Sequence, residues 1–297
     1  MEPLKISSDI VTTPPRPAAS VVLLRDHAGE LQVFMLRRHG LSDVLGGAYV
    51  FPGGKLDRED SDAAMLRRLD RPAADLHAAL GEPVLDEASA CGLWVAACRE
   101  TFEEAGILLA HGATANDVEA ATRQARTGLS FVELLEQMDL TLALSNIAPW
   151  TRWITPRMPS MMNKRFDTRF FVAEIPDGLT ARHDDHEATE SLWCTPRAVL
   201  EKYWNRELAL APPQIMSCAH LARHANVASV LEEARSRRPP TVLPEPFDID
   251  GRRVLTYPGD ELHSGRVRAL PGPLRLVHNP GAERFEPRDG AFESFFA

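Results

Sequence analysis

Arg99-Glu100-Thr101-Phe102-Glu103-Glu104-Ala105-Gly106-Ile107 packs three carboxylates into what reads as the last turns of a helix, then stops it with a glycine. Side chains three and four positions apart share a helix face, so Glu100, Glu103 and Glu104 point the same way. They stand at the helix's negative end, where the macrodipole disfavours further negative charge. Helix stability does not ask for that arrangement. A bound divalent cation does, because hard cations are held by carboxylate oxygens. The alternative is a solvated glutamate face with an ordinary Arg–Glu pair beside a glycine cap. Two neighbouring segments weigh against it. Cys91-Gly92-Leu93-Trp94-Val95-Ala96-Ala97-Cys98 is apolar and small, as in a core helix. Upstream, Phe51-Pro52-Gly53-Gly54-Lys55-Leu56-Asp57 reads as a strand end breaking into a double-glycine turn, where backbone can approach a ligand closely.

Together these segments resemble the Nudix box, Gly-x5-Glu-x7-Arg-Glu-U-x-Glu-Glu-x-Gly-U, with U an apolar residue. Gly54 fits the leading glycine, and Asp60 falls where the first glutamate is expected. Arg99, Glu100, Glu103, Glu104, Gly106 and Ile107 fit the second half, and Thr101 departs from it at a U position. The family pattern sets its arginine 14 positions after the glycine. Here the separation is 45, so 31 residues are inserted. A Nudix subgroup that contains organellar coenzyme A diphosphatases is similar in carrying an inserted box. Its other marks recur as Trp150-Thr151-Arg152-Trp153-Ile154-Thr155-Pro156, Arg165-Phe166-Asp167-Thr168-Arg169-Phe170-Phe171 and Pro212-Pro213-Gln214.

The resemblance implies a metal-dependent hydrolase that cleaves a diphosphate linkage in a nucleoside-diphosphate-linked small molecule. Coenzyme A or an acyl derivative is the first expectation. NADH or a nucleotide sugar is an enzymatic alternative, and a silent nucleotide-sensing domain is one of another class. The resemblance further implies Mg2+ or Mn2+ on Glu100, Glu103, Glu104 and the Gly53 carbonyl, with Arg99 positioning the glutamates. Glu103 or Glu104 could serve as base; many members also use a glutamate from a later loop, here Glu187 or Glu190. His183 and His186, in the same acidic stretch, fit a second metal or plain loop surface. Arg38 matches the first arginine of the coenzyme A signature, whereas Asp43 replaces the second. Arg157, Lys164 and Arg165 could take over that phosphate contact. Lys55 either reaches a phosphate or is an exposed loop lysine. Trp150 and Trp153 either stack an adenine or fill the core.

Composition bounds these readings. The chain has 297 residues, 44% hydrophobic and 25% charged, as in an ordinary globular protein. A net charge of −9 argues against nucleic acid as partner, which needs a basic footprint. No run approaches a membrane span, and Met1-Glu2-Pro3-Leu4-Lys5 lacks a signal-peptide pattern, so neither membrane nor secretion is expected. Cys91, Cys98, Cys194 and Cys218 show no zinc spacing, which points to reduced core thiols and a cytoplasmic setting. A homodimer is left open.

Along the chain, residues 1–16 read as a flexible arm and 17–205 as the α/β domain, an α/β/α sandwich about a mixed central sheet. A helical insertion over about 61–86 carries Leu66, Leu69, Leu76 and Leu80 at amphipathic spacing. Strands are expected at Ala18–Leu24, Leu31–Leu36, Tyr49–Phe51, Arg169–Ile175 and Glu190–Cys194. Ser130-Phe131-Val132-Glu133 is a capping box opening a helix to about Leu140. Thr195-Pro196 starts another through Trp204. Residues 206–297 read as a helical and irregular extension, with strand-like pieces at Arg252–Tyr257 and Leu274–His278, packed on the core.

Overall fold

The computed structural model describes residues 9–40, 45–158, 164–183 and 188–297. Its framework is a mixed sheet. Strand β1 (Arg16–His27) pairs antiparallel with β2 (Glu30–Arg38) and parallel with β6 (Phe166–Glu174). β3 (Tyr49–Val50) and β7 (Ala188–Cys194) pair with β2; β4 (Gly53–Lys55) pairs with β1. β5 (Ile147–Ile154) joins β6, and β8 (Thr241–Val242) closes that edge.

Both faces of this sheet are covered, and the pleat shows it directly. Along β1, Ala19, Val21 and Leu23 enter one buried cluster while Val22 and Leu24 enter the other. β2 and β6 divide in the same way, Phe34 and Phe171 on one side, Met35 and Val172 on the other. Successive strand residues point to opposite faces, so a near-continuous apolar run is what a doubly covered strand requires.

The first layer contains α3 (Glu87–Ala105), the helix that ends in the glutamates. Asp86 caps its start by accepting from the Ser89 N–H, and Gly106 ends it at φ 63°, a left-handed position that glycine adopts without strain. Trp94 fixes its middle: the ring lies 4.9 Å from Phe171, and its indole N–H donates to the Leu76 carbonyl. The insertion forms α1 (Ala63–Leu66) and α2 (Ala73–Leu80), burying Met65, Leu76 and Leu80 against α3. A helix not foreseen from sequence, α4 (Ala115–Ala125), starts at a Thr114–Asp117 capping box. The Ser130 box does open α5, which stops at Gln137 rather than Leu140 (Phe131–Gln137).

The second layer holds α6 (Pro196–Trp204), α7 (Pro212–Leu221) and α8 (Val227–Ser236). Beyond them, β9 (Glu245–Ile249), β10 (Arg252–Thr256), β11 (Arg275–Asn279) and β12 (Arg284–Pro287) form a four-stranded antiparallel sheet. Leu255, Tyr257, Leu276, Phe285 and Phe295 share one buried cluster with Val22, Leu24 and α6–α8. The Tyr203 hydroxyl ties the layers, donating to the Phe285 carbonyl and accepting its N–H. All four cysteines are unpaired. No helix among the described residues is long and apolar enough to cross a membrane.

Candidate active site

The two halves of the box meet at a salt bridge. Asp60 sits in a 3-10 turn (Arg58–Ser61) on the near side of the insertion and is 1% exposed. Its carboxylate accepts from Arg99 Nε at 2.8 Å and Nη2 at 3.0 Å, and from the Asp57 N–H at 2.9 Å. Fork-on-fork pairing of this kind fixes orientation as well as charge. The same guanidinium reaches forward to Glu100 at 2.8 Å and Glu103 at 3.0 Å, and its Nη2 donates to the Lys55 carbonyl. Burial works against the Arg99 charge, but Asp60, Glu100 and Glu103 overcome it and raise its already high pKa.

The double glycine lies against these side chains because nothing larger fits. A Cβ on Gly54 would stand 2.3 Å from Glu100 Oε1; on Gly53 it would meet the Ala19 carbonyl oxygen at 2.4 Å and Ser20 Cα at 2.6 Å. The Gly53 N–H donates to Glu104 Oε2 at 2.8 Å, and Arg38 Nη1 lies 3.8 Å from Glu104 Oε1. Glu104 is buried at 6% exposure, whereas Glu103 faces outward. Partial desolvation pushes the half-exposed Glu103 carboxyl up against the pull of Arg99, with Asp60 and Asp57 adding to the rise. Thr101, the departure from the apolar position, is satisfied inside the helix: its hydroxyl donates to the Ala97 carbonyl at 2.7 Å.

This donor set fits a hard divalent cation. Asp57, Asp60, Glu100, Glu103 and Glu104 crowd around Arg99 and Arg38, leaving an excess of oxygen-borne negative charge. Residues 7–221 match the NUDT19 Nudix domain family model, well over half the chain. The chain belongs to the NUDT19 Nudix family. Nudix hydrolases act on diphosphate bonds and generally use divalent metal ions, so this chain is a Nudix hydrolase. Acyl-coenzyme A diphosphatase NUDT19 of Xenopus laevis is 24% identical, over 80% of this chain and 73% of that protein. The Homo sapiens protein of the same name is 26% identical, over 78% and 72%. A crystal structure of a NUDIX hydrolase from Alicyclobacillus acidocaldarius superimposes with a TM-score of 0.58 at 26% identity, covering 77% of this chain and 99% of that one.

Beside the Nudix glutamates opens a cavity of about 430 Å³. Gly53, Gly54, Lys55 and Glu100 line it together with Arg16, Arg38 and Lys164. Phe51, Trp153, Phe166, Phe170 and Leu255 give it an apolar wall, and Pro212, Pro213 and Gln214 complete it from α7. Of the basic residues singled out from sequence, Arg38, Lys55 and Lys164 are brought here, although Lys55 Nζ pairs with Asp57 at 2.9 Å. Arg157 and Arg165 are not. Arg157 is exposed, and Arg165 donates to the Thr155 and Thr13 carbonyls, holding the N-terminal segment. Arg16 was missed; it precedes the apolar run of β1, where a basic residue looks like an ordinary strand flank.

The two tryptophans separate. Trp153 lines the cavity, while Trp150 is sealed between His220, 4.4 Å away, and the Arg237 guanidinium at 4.6 Å. Glu190 pairs with Arg37 at 3.4 Å, and His183 meets the Ser191 hydroxyl. Asp43, His186 and Glu187 lie outside the described residues. Among those described, His220, His224 and Glu233 bring three ligand atoms within 4.8 Å. Arg237 already donates to the same Glu233 oxygen as His220, so this group reads as a hydrogen-bonded core network. A glutamate bridging two layers also went unread: Glu82, in the insertion, accepts from buried Arg169 and pairs with Arg152, anchoring the insertion to β6 and β5.

Proposed function

We propose that this Nudix hydrolase cleaves the diphosphate of coenzyme A or an acyl-coenzyme A, releasing 3′,5′-ADP and the corresponding 4′-phosphopantetheine. The observation that carries it is the mainly apolar cavity opening beside the Nudix glutamates, with Arg16, Arg38 and Lys164 in its lining. That combination suits a ligand whose charged diphosphate continues into a weakly polar arm. The names of the Xenopus and human relatives point to the same substrate class.

In this reading Glu100, Glu103, Glu104 and the Gly53 carbonyl hold Mg2+ or Mn2+. The bound ion supplies Lewis acidity and an acidified water. Arg99 keeps Glu100 and Glu103 oriented while Asp60 keeps Arg99 oriented, as outer-shell partners do at metal sites. Arg38, which lines the cavity with its Nη1 3.8 Å from Glu104 Oε1, would donate to a phosphate oxygen. Glu103, the outward-facing glutamate of the cluster, and Glu187 are the candidates for accepting the proton of the attacking water.

The test is turnover of coenzyme A, acyl-coenzyme A, NADH and ADP-ribose with Mg2+, with products identified by mass spectrometry. The expected product is 3′,5′-ADP, and Glu103→Gln is expected to lower kcat/KM by at least a hundredfold. Turnover of NADH with none of coenzyme A would overturn the substrate. Undiminished Mg2+-dependent activity in the Gln variant would overturn the site.

A further inference from the structure

Much of the cavity floor is one face of the sheet, and the strand ladders set the distances along it. Gly53 stands opposite Ser20, Lys55 opposite Ala18, and Arg16 opposite Phe166, and all six line the cavity. Paired strand residues share a face, as do residues two apart on one strand, so Gly53 and Arg16 mark the two ends of that floor. From Ser20 to Arg16 the strand runs four residues, about 13 Å at ~3.3 Å per residue. The Nudix carboxylates belong to the Gly53 end. Glu100 is the one carboxylate among the described lining residues, and a Cβ on Gly54 would strike it. The other end is cationic. Lys164, two residues before Phe166, lines it beside Arg16, whose N–H donates to the Arg165 carbonyl at 2.9 Å. The exposed Arg16 guanidinium has no ion-pair partner among the described residues.

An unpaired arginine on a strand flank is ordinary surface where it meets only bulk water. Arg16 instead lines the cavity that carries the Nudix glutamates at its other end, in a chain of net charge −9 where acidic partners are plentiful. A guanidinium fork and an ammonium together suit a phosphate group, which accepts charge-assisted hydrogen bonds from both. We infer that Arg16 and Lys164 form a second anion subsite, which takes a phosphomonoester that the substrate carries apart from its scissile diphosphate. Arg38, beside Glu104, belongs to the diphosphate end. This rests on the coenzyme A reading, in which the second group is the 3′-phosphate of the nucleotide half. NADH and ADP-ribose have no such phosphate, so the subsite supplies the discrimination between the substrate and those alternatives.

The test removes the phosphate from the ligand and the charge from the protein. Initial rates with coenzyme A and with dephospho-coenzyme A are compared in the unsubstituted protein and in Arg16→Gln, with Mg2+ present. Binding of 3′,5′-ADP and of 5′-AMP is measured calorimetrically in the same two proteins. The unsubstituted protein is expected to favour coenzyme A in kcat/KM, and 3′,5′-ADP in binding, each by about tenfold, the lower end for a hydrogen bond to a charged group. Arg16→Gln is expected to reduce both preferences to about twofold, through KM rather than kcat. A merely structural role for Arg16 would weaken both members of each pair equally and leave the preferences intact, which would overturn the inference. So would equal handling of ligands with and without the 3′-phosphate by the unsubstituted protein. Lys164→Gln is read in the same way, and undiminished preferences there would remove Lys164 from the subsite. Turnover of coenzyme A with the preferences undiminished in Arg16→Gln sinks this inference alone. No turnover of coenzyme A, together with an Arg16-dependent preference for 3′,5′-ADP, sinks the substrate reading and keeps the subsite.

Discussion

Asp60→Asn tests the joint on which the split motif depends. The substitution keeps the shape of the side chain and removes its charge, leaving Arg99 with Glu100 and Glu103 ahead of it and a neutral amide behind. Removing one partner of a buried ion pair typically costs about 3–5 kcal/mol, because the other charge stays buried. Arg99 keeps two acceptors, so the lower end, about 3 kcal/mol, applies here. For a chain of this size each kcal/mol moves the melting temperature by about 2–3 °C, giving a drop of about 6–9 °C. The substitution also frees the guanidinium to rotate away from the glutamates. Loss of an outer-shell partner weakens metal affinity by roughly 10–100-fold, so the Mg2+ concentration for half-maximal turnover should rise by that factor. Asp60→Glu restores the charge and matches the Nudix pattern. One extra methylene in a buried site costs about 1–3 kcal/mol, so stability should fall less and Mg2+ dependence should stay near that of the unsubstituted protein. Differential scanning fluorimetry and a Mg2+ titration of initial rates read both effects. A shift under about 2 °C in Asp60→Asn together with an unchanged Mg2+ titration would refute the view that Asp60 holds Arg99 in place.

Three further outcomes are expected. Gly54→Ala should lower Mg2+-dependent kcat/KM at least tenfold with little change in melting temperature, because the added Cβ strikes only the mobile end of Glu100. Gly53→Ala should destabilise strongly, because its Cβ strikes the backbone of β1; equal thermal shifts for the two would contradict this. Glu82→Ala should cost about 3 kcal/mol by stripping buried Arg169 of its main partner, measured as a lower urea midpoint, while the remaining folded protein keeps its turnover. Burial holds His220 at about 4, below the ordinary 6.5, even though Glu233 pulls it upward. The unfolded chain therefore takes up a proton that the folded one refuses, so stability is complete above pH 6.5 and is lost as pH falls toward 4. The loss is of order 3 kcal/mol, and a His220→Gln variant should show a correspondingly flatter urea midpoint between pH 7 and 4.5.

The strands and the main helices could be read because their signals are local. β1 and β2 announce themselves by apolar runs, and α6 by Thr195-Pro196, whose hydroxyl accepts from the Ala198 N–H as a cap should. The glutamate cluster was legible because its charge is misplaced for a simple helix. What could not be read is what depends on distant pairing. Nothing local marks Glu82 as the partner of Arg169, 87 residues away, or separates cavity-lining Trp153 from core Trp150. Arg165 shows the converse. As a basic residue it could take over a phosphate contact, yet its hydrogen bonds go to carbonyls of its own chain.

The inserted box raises the question of how a metal site survives 31 extra residues between its halves. Chain entropy is a small part of the answer. Lengthening the connection from 14 to 45 residues adds only about 1 kcal/mol to the cost of closing the loop. Met65, Leu76 and Leu80, all buried by the insertion itself, each return about 1.5–3 kcal/mol. The demanding requirement is register, and three contacts impose it. Asp60 grips Arg99 at the near end, and Glu82 grips Arg169 near the far end. Between them Gly92 lets α3 approach the 3-10 turn so closely that a Cβ there would lie 2.2 Å from Ser61 Oγ. The site is therefore assembled by side chains that clamp across the gap, not by chain continuity. The length of the gap therefore matters less than the contacts that Asp60, Gly92 and Arg99 make across it.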